Sequence, residues 1–249
     1  MGLRLRVIDI ETTGEAPPAE IIEFGRVDVV RTEETWVVGR PMARLYRPLH
    51  AIPPETMAVH HITGTDFTPD TPVCTPERLQ QAIRGGERPD VLVAHNCAFE
   101  RLFLEAALPA SLPWICTYKV ALQVWPEAPR HSNQVLRYWR DLRLDPALAM
   151  PPHRAGPDAY VTAHLLADLL GSASVEQMIQ WTSQPKRLPT LPFGKHRGLP
   201  WLEVPLDYLH WMARQTDMDT DATWCAQQEV ARRAVSPAVP ASSLEATPS

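Results

Sequence analysis

The sequence predicts an α/β protein whose mixed sheet is flanked by helices and followed by a small C-terminal module. Two observations predict the sheet: three strand-like segments with short connections open the chain, and strands alternating with helices follow them. The third observation is a proline-containing basic stretch at 184–192, after which a segment with its own aromatic residues begins. A chain of 249 residues has room for one large domain or two modest ones.

The first strands are rich in β-branched and aromatic residues with partial alternation. They are expected at 3–10, 20–30 and 34–48, and their short connections predict an antiparallel meander. Two shorter apolar runs, 91–96 and 114–116, are typical of buried strands that follow a helical connection.

Helices are expected between and after these strands. Thr75 as N-cap, Pro76 in the first turn and Gly85 as the stop define the clearest of them. The predicted helices are 53–63, 75–85, 97–108, 117–124, 132–141 and 157–170.

The composition predicts two folded parts. The expected boundaries are a main domain at 1–172, a linker at 173–191, a small module at 192–235 and a disordered Pro/Ser/Ala-rich tail at 236–249. Four basic residues and no acidic ones lie between 184 and 198. Taken alone, this stretch is typical of a solvated linker, and in a nucleic-acid-binding protein it would suit contacts with phosphates. Trp201 and Trp211 could stack on bases, but their helical context predicts that they belong to the module's core.

Composition and charge exclude several classes of protein. No apolar run approaches the roughly 20 residues of a membrane helix, and the first residues do not form a signal peptide. Four cysteines without a CxxC pair predict reduced thiols in a cytoplasmic protein. The net charge of −5 argues against a surface coated with positive charge, but it suits carboxylates that bind divalent ions.

The strongest chemical signal is the pair Asp9 and Glu11 at the end of the first strand. Residues i and i+2 of a strand point to the same face, so these two carboxylates converge. Two like charges are unfavourable there unless a cation binds between them. Oxygen ligands suit Mg²⁺ or Mn²⁺.

Two further segments place acidic residues at helix starts. Glu100 lies in the first turn after the strand 91–96, and Asp158 lies on the same face as the apolar stripe of its helix, with His153 in the preceding loop. Each residue alone has an ordinary explanation as a favourable N-terminal charge, a cap or a surface histidine. Together, four carboxylates suffice for two metals about 3.5–4 Å apart, and a nearby histidine could accept a proton from water.

The order of these segments resembles the three motifs of the DEDDh 3′→5′ exonuclease family. The motifs are D-I-E-T-T-G from Asp9, H-N-x-x-F-E from His95 and H-x-x-x-x-D from His153, and 54–62 resembles the family's P-E-x-x-x-V-H-x-I stretch. The resemblance covers residues 5–170 and implies an RNase H-like fold for the main domain. Segments 114–139 and the F-G-K-H-R-G of the module are similar to the exodeoxyribonuclease X branch.

The resemblance implies a 3′→5′ DNA exonuclease that uses two Mg²⁺ ions, with Mn²⁺ as a substitute, and releases 5′-mononucleotides in DNA repair or recombination. It implies that Asp9 bridges both metals, that Glu11 and Asp158 bind the metal holding the attacking water, that Glu100 supports the second metal through water, and that His153 is the general base. The residues implied to bind the terminal nucleotide are Thr12, Thr13, Glu55, Met57, His60, His95, Asn96 and Phe99.

Three alternatives stay open at this point. The catalytic residues do not separate DNA from RNA or short oligonucleotides, and a polymerase proofreading subunit would carry the same motifs. Glu100 is one methylene longer than the aspartate that usually ends the second motif, which leaves a non-catalytic nucleic-acid-binding protein as an alternative of another class. The expected partner is the 3′ end of DNA, and a homodimer is a further expectation from the family.

Overall fold

A six-stranded mixed sheet organises the first 184 residues of the computed structural model, which describes residues 2–105, 107–108 and 112–235. Its strands are β1 (Arg4–Thr12), β2 (Ile21–Arg31), β3 (Trp36–Val38), β4 (Met42–Leu45), β5 (Val91–Ala94) and β6 (Trp114–Cys116). The order is β3-β2-β1-β5-β6, and β4 also pairs with β2. The strands β1, β5 and β6 are parallel, whereas β2 is antiparallel to its neighbours. The predicted mixed sheet is confirmed.

The segment 34–48, predicted as one strand, forms two. The strand β3 pairs with the last residues of β2, and β4 pairs with residues 23–26. Between them the Gly39 N–H donates to the Asp28 carbonyl (2.8 Å), and Pro41 has no N–H to offer to a ladder. The pairing is interrupted there, and two short strands cover one long one.

Helices make up most of the remaining regular structure of the described chain. They are α1 (Pro54–His60), α2 (Pro76–Arg84), α3 (Ala98–Leu104), α4 (Thr117–Val124), α5 (Asn133–Trp139), α6 (Pro146–Ala149), α7 (Ala155–Leu169), α8 (Val175–Ser183), α9 (Leu206–Met212) and α10 (Thr220–Val235), with 3₁₀ turns at Gly64–Asp66 and Trp201–Glu203. The predicted helix 97–108 is shorter than expected, and its residue 106 lies outside the described residues. No described helix has the length and apolar character needed to span a membrane.

The alternation of β1 assigns its side chains to two cores. Leu5 and Val7 pack in one core with residues of α4, α7 and α8, whereas Ile8 and Ile10 pack in the other with residues of α2 and α3. Because side chains alternate along a strand, Asp9 points to the face that α7 covers. The sheet therefore directs the acidic end of β1 towards the start of α7.

Gly25 permits a close approach of α7 to the sheet. It lies opposite Asp9 in the β1–β2 ladder. A Cβ atom there would lie 2.1 Å from the Ala155 carbonyl oxygen and 2.6 Å from the Gly156 nitrogen. The first turn of α7 thus rests directly on the backbone of β2, with no space for a side chain between them.

The boundary between the two parts of the chain differs from the prediction. The chain divides into Met1–Gln184 and Pro185–Ser249, and α8 belongs to the first unit, where its residues Val175 and Met178 join the core. The predicted linker 173–191 therefore contains a helix, which buries apolar side chains that a linker would expose. The predicted disordered tail 236–249 lies outside the described residues.

The smaller unit has a core of its own. Its fully buried members are Leu191, Val204, Leu209, Met212, Ala222 and Ala226. Trp201 packs against this core and its Nε1 donates to the Leu188 carbonyl (2.7 Å), as predicted for a core residue. Trp211 is 48% exposed, so the prediction that it belongs to the core is wrong. Its position on the outer face of the short helix α9 decides this.

Candidate active site

Three carboxylates meet where β1 ends and α7 begins. Asp9, Glu11 and Asp158 each offer an oxygen, and these oxygens lie within 4.8 Å of one another. The first two share a face of β1, and the third is in the first turn of α7. The ladder between β1 and β2 shifts register after Glu11, an irregularity of the kind that redirects side chains beside functional sites.

The electrostatics of this cluster are unfavourable in the absence of a cation. Burial and the neighbouring carboxylates, chiefly Glu11, raise the pKa of Asp9 well above its ordinary value. Burial and Asp158 raise the pKa of Glu11 to about 8, against a smaller lowering by Arg154. Carboxyl groups whose ionisation is disfavoured to this degree are typical of functional sites.

Glu100 lies beside the cluster rather than within it. Its side chain is buried in the first turn of α3, and its Oε2 has no hydrogen-bond partner among the described residues. Burial raises its pKa to about 8, with smaller contributions from Cys116 and Glu11. The charge of Glu100 in turn raises the pKa of Asp9, so the two carboxylates interact electrostatically. Glu100 therefore stays a predicted fourth carboxylate of the site, outside the group of three whose oxygens lie within 4.8 Å of one another.

The loop that carries His153 is tied to Asp158. The backbone N–H of His153 donates to Asp158 Oδ2 (2.8 Å), and Gln134 Nε2 donates to Oδ1 (3.2 Å). His153 has a left-handed backbone (φ 58°), which is unusual for a residue other than glycine, and its side chain is exposed. Its imidazole therefore lies at the mouth of the site and is accessible from solvent.

Glu23 and Arg154 are site residues that the sequence reading missed. Glu23 faces Glu11 across the β1–β2 ladder and is buried. Arg154 donates to both of its oxygens (2.9 and 2.7 Å), and the Ala155 N–H donates to Oε2 (2.9 Å). Directly opposed residues of antiparallel strands share a face, so only the pairing register reveals this carboxylate. Glu23 thereby anchors the residue that follows His153.

The helix α1 carries three of the predicted substrate residues. Glu55 is exposed in its first turn, and Met57 lines an open cleft of about 810 Å³. His60 is buried; its Nδ1 accepts the Ile62 N–H (2.9 Å), and its Nε2 has no partner among the described residues. Burial lowers the pKa of His60, which favours the neutral ring. Because Nδ1 accepts a hydrogen bond, the proton of the neutral ring lies on Nε2.

The predicted residues after β5 have different environments. Both ring nitrogens of His95 are engaged inside the protein, with Thr117 Oγ1 (2.9 Å) and the His131 carbonyl (2.8 Å). Burial lowers its pKa to about 4. These contacts leave no ring nitrogen of His95 for substrate, so the structure contradicts its predicted contact with the terminal nucleotide. Asn96 is exposed with a left-handed backbone, and Phe99 is partly buried with its ring 5.2 Å from that of Phe103.

Thr12 and Thr13 use their side chains within the turn between β1 and β2. The Thr12 hydroxyl donates to the Gly14 carbonyl (2.6 Å), and the Thr13 Oγ1 accepts the Glu20 N–H (2.8 Å). The Thr13 N–H also donates to the Glu20 carbonyl (2.9 Å). Both hydroxyls and the Thr13 N–H are thus engaged within the turn, so a contact of these residues with the terminal nucleotide would use other backbone groups.

Comparison with known proteins places the chain in a family. The family described as "Exonuclease" matches residues 7–166. The chain is 34% identical over 218 residues to Exodeoxyribonuclease 10 of Escherichia coli (strain K12), which covers 86% of this chain and 92% of that protein. This match covers more of the chain than residues 1–184 do, so it reaches into the smaller unit.

Solved structures agree with the sequence matches. Exonuclease X in complex with 5′ overhanging duplex DNA has a TM-score of 0.57 and 35% identity, covering 72% of this chain and 99% of that one. The nuclease domain of 3′hExo, a DEDDh family member bound to rAMP, has a TM-score of 0.51 and 19% identity, covering 69% of this chain and 94% of that one. The second likeness concerns the fold alone, and it confirms the predicted RNase H-like architecture.

Proposed function

This chain belongs to the exonuclease family, and from that premise we propose that it hydrolyses terminal phosphodiesters of DNA from the 3′ end and releases 5′-mononucleotides. The observation that carries the proposal is the group of three carboxylates, Asp9, Glu11 and Asp158, whose oxygens lie within 4.8 Å of one another beside the His153 loop. DNA as the substrate is supported by Exodeoxyribonuclease 10 and by the DNA-bound Exonuclease X among the relatives.

The donor atoms of the site fit a pair of divalent cations. All of them are carboxylate oxygens, which Mg²⁺ prefers and Mn²⁺ accepts. The raised pKa of Asp9 and the unpartnered Oε2 of Glu100 both indicate negative charge that the protein itself does not neutralise. We propose that Asp9 would bridge two Mg²⁺ ions, that Glu11 and Asp158 would bind one of them, and that Glu100 would support the other through water.

Each of the proposed site residues has a definable task in hydrolysis. When bound, the cations supply stabilisation of the charge on the phosphate and a lowered pKa of the attacking water. The exposed imidazole of His153 accepts the proton of that water. Asp158 holds the loop that carries this imidazole by accepting the backbone N–H of His153, and Arg154, held by Glu23, fixes the other side of the loop.

The terminal nucleotide has candidate contacts on α1. The Nε2–H of His60 is a buried donor without a partner among the described residues, and it could serve a sugar or phosphate oxygen of the 3′ nucleotide. Glu55 offers an acceptor for the 3′ hydroxyl, and Met57 offers an apolar surface beside the cleft that it lines. Asn96 and Phe99, with the backbone of Thr12 and Thr13, complete the proposed set.

Digestion of a 5′-labelled single-stranded DNA by the purified protein tests the proposal. We expect a ladder that shortens from the 3′ end with Mg²⁺ or Mn²⁺ and no digestion with EDTA. A 3′-labelled strand should lose its label in the first turnover as a mononucleotide. A label released first from the 5′ end, or faster digestion of a matched RNA, would contradict the direction or the substrate respectively.

Replacing Glu100 tests whether its carboxylate is used despite the additional methylene. Glu100→Gln keeps the shape and removes the charge, and we expect activity to fall about 10- to 100-fold, the usual range for residues that support a metal indirectly. Glu100→Asp should retain more activity than Glu100→Gln. The measurement is the initial rate of DNA digestion at saturating Mg²⁺. Equal rates for Glu100→Gln and the wild type would show that this carboxylate has no part in hydrolysis.

Replacing Arg154 with lysine tests the anchor of the His153 loop. Lysine keeps the charge but cannot make the two-bond contact with Glu23. We expect kcat to fall about 10- to 100-fold, with KM nearly unchanged because the substrate contacts on α1 are untouched. Arg140→Lys breaks a similar contact with Asp168, which lies ten residues beyond Asp158 on α7, and is the matched control. A raised KM with normal kcat would contradict a positioning role.

The oligomeric state, cellular location and pathway of the protein stay predictions. A homodimer is expected from the family, and the mass measured by sedimentation equilibrium decides it. A cytoplasmic location and a role in DNA repair or recombination are expected as well, and fractionation and the sensitivity of a deletion strain to DNA damage would test them.

A further inference from the structure

The smaller unit presents a rigid aromatic centre on its surface. Tyr208 of α9 lies against the loop 194–198, where Gly194 and Gly198 have positive φ angles of 77° and 87°. A Cβ atom at Gly194 would lie 2.4 Å from the Tyr208 Oη, so the loop backbone rests on this ring. The Gly198 N–H donates to the Leu191 carbonyl (2.8 Å), which ties the loop to the core of the unit.

Two side chains lie against the Tyr208 ring, one aromatic and one cationic. The Trp211 ring lies 5.2 Å from the Tyr208 ring at an angle of 38°, and it is 48% exposed. The Lys195 ammonium lies 5.3 Å from the centre of the same Tyr208 ring. The Tyr208 ring thus supports an exposed indole, which offers a flat apolar face for a planar group, and it also contacts a cation.

The charges around the Trp211 indole indicate which kind of ligand would bind there. Lys195 and Arg197 are exposed on the loop, and within the described residues neither forms an ion pair. Asp207 lies one turn before Trp211 on α9 and is exposed, so it opposes an anion placed on its side of the indole. A partner that combines flat apolar groups with regularly spaced negative charge fits this arrangement, with its charges on the loop side.

We propose that the stacking surface, defined as Lys195, Arg197, Tyr208 and Trp211, binds single-stranded DNA. A base stacks on the exposed indole of Trp211, and Lys195 and Arg197 contact the adjacent phosphates. A single strand fits this surface better than a duplex, because the bases inside a duplex stack on each other and only its terminal pairs have a free face. The choice of DNA rests on the proposed function, whereas the surface itself lies in the smaller unit and outside the candidate active site.

Binding of a fluorescein-labelled oligothymidylate to the full chain in EDTA tests the proposal. We expect Trp211→Ala to raise Kd by about 10-fold, the scale of one lost stacking contact, and Trp211→Phe to retain most of the affinity. For Lys195→Gln with Arg197→Gln, the slope of log K against log salt should decrease by about 1.4, since each phosphate contact to a single strand contributes about 0.7. Asp207→Asn should bind about 2-fold more tightly, because it removes a repulsive charge.

The controls separate this surface from the active site. Arg88→Gln removes an exposed arginine of the larger unit and should leave Kd unchanged. Hydrolysis of the p-nitrophenyl ester of thymidine 5′-monophosphate, which is too short to occupy two sites, should be the same in Trp211→Ala and wild type. Folded variants with unchanged Kd and unchanged salt slope would overturn the proposal. Lost oligothymidylate affinity in a protein without 3′ digestion would instead contradict the proposed function alone.

Discussion

Replacing Asp9 with asparagine is expected to reduce DNA digestion by at least about a thousand-fold, since the metals it would hold account for several kcal/mol of transition-state stabilisation. The same change is expected to raise the melting temperature of the metal-free protein. Burial and the charges of Glu11, Asp158 and Glu100 raise the pKa of Asp9, so its ionised form is disfavoured in the folded protein. Asparagine removes that repulsion at nearly the same volume.

The gain in melting temperature of Asp9→Asn is expected to depend on pH. The pKa of Asp9 is higher in the folded chain than its ordinary value of about 3.9. The folded state therefore holds a proton that the unfolded state has released, and stability falls as pH rises above about 4. The gain in melting temperature of Asp9→Asn should be small near pH 4 and larger at pH 8.

Calorimetry in EDTA across this pH range, together with activity in Mg²⁺, checks both parts. Asp70→Asn is the matched control, because Asp70 is exposed and the same chemical change should alter neither quantity. Addition of Mg²⁺ should stabilise the wild type more than Asp9→Asn, since ligand binding to the folded state adds stability. A less stable metal-free Asp9→Asn protein would show that the cluster is not electrostatically strained.

Replacing Gly25 with alanine is expected to disable the site without touching any of its carboxylates. The new Cβ would lie 2.1 Å from the Ala155 carbonyl oxygen and 2.6 Å from the Gly156 nitrogen. Both neighbours are backbone atoms, so the strain is relieved only if the start of α7 moves away from β2. That movement carries Asp158 and the His153 loop away from Asp9.

The expected cost is about 3 kcal/mol in the free energy of unfolding, at the upper end for overpacking of a core. Activity should fall by about 100-fold, because displacements near 1 Å have that effect on well-aligned groups. Gly64→Ala is the matched control, since a Cβ at Gly64 meets no atom within 4 Å. Thermal unfolding and digestion rates of the two variants would be compared. A Gly25→Ala protein with normal stability and activity would contradict the direct contact between α7 and β2.

Local patterns in the sequence were sufficient for much of the fold. The strand β6 (Trp114–Cys116) and the helix α4 (Thr117–Val124) have the predicted bounds, and most other predicted elements differ by one to four residues at their ends. The errors occur where the structure of a segment depends on another segment that pairs or packs with it. The segment 34–48 divides because β2 offers two places to pair, and α8 forms where a linker was expected because β6 and α4 give it a surface to cover.

The candidate site shows the same division. The two-residue period of a strand was enough to bring Asp9 and Glu11 to one face, and the helical stripe was enough to turn Asp158 inward. Neither pattern contains Glu23, whose role depends on lying opposite Glu11 in the ladder. His95 also reads as a substrate residue in its motif, yet Thr117 and His131 occupy both of its ring nitrogens.

The sequence by itself determined the acidic residues, their order and the face on which each lies, because side-chain periodicity is a property of one segment. The tertiary structure alone decided the anchor between Glu23 and Arg154, the close approach at Gly25 and the exposure of Trp211. Each of these depends on the distance between atoms far apart in the chain. Strand register and helix packing set such distances, and no local pattern records them.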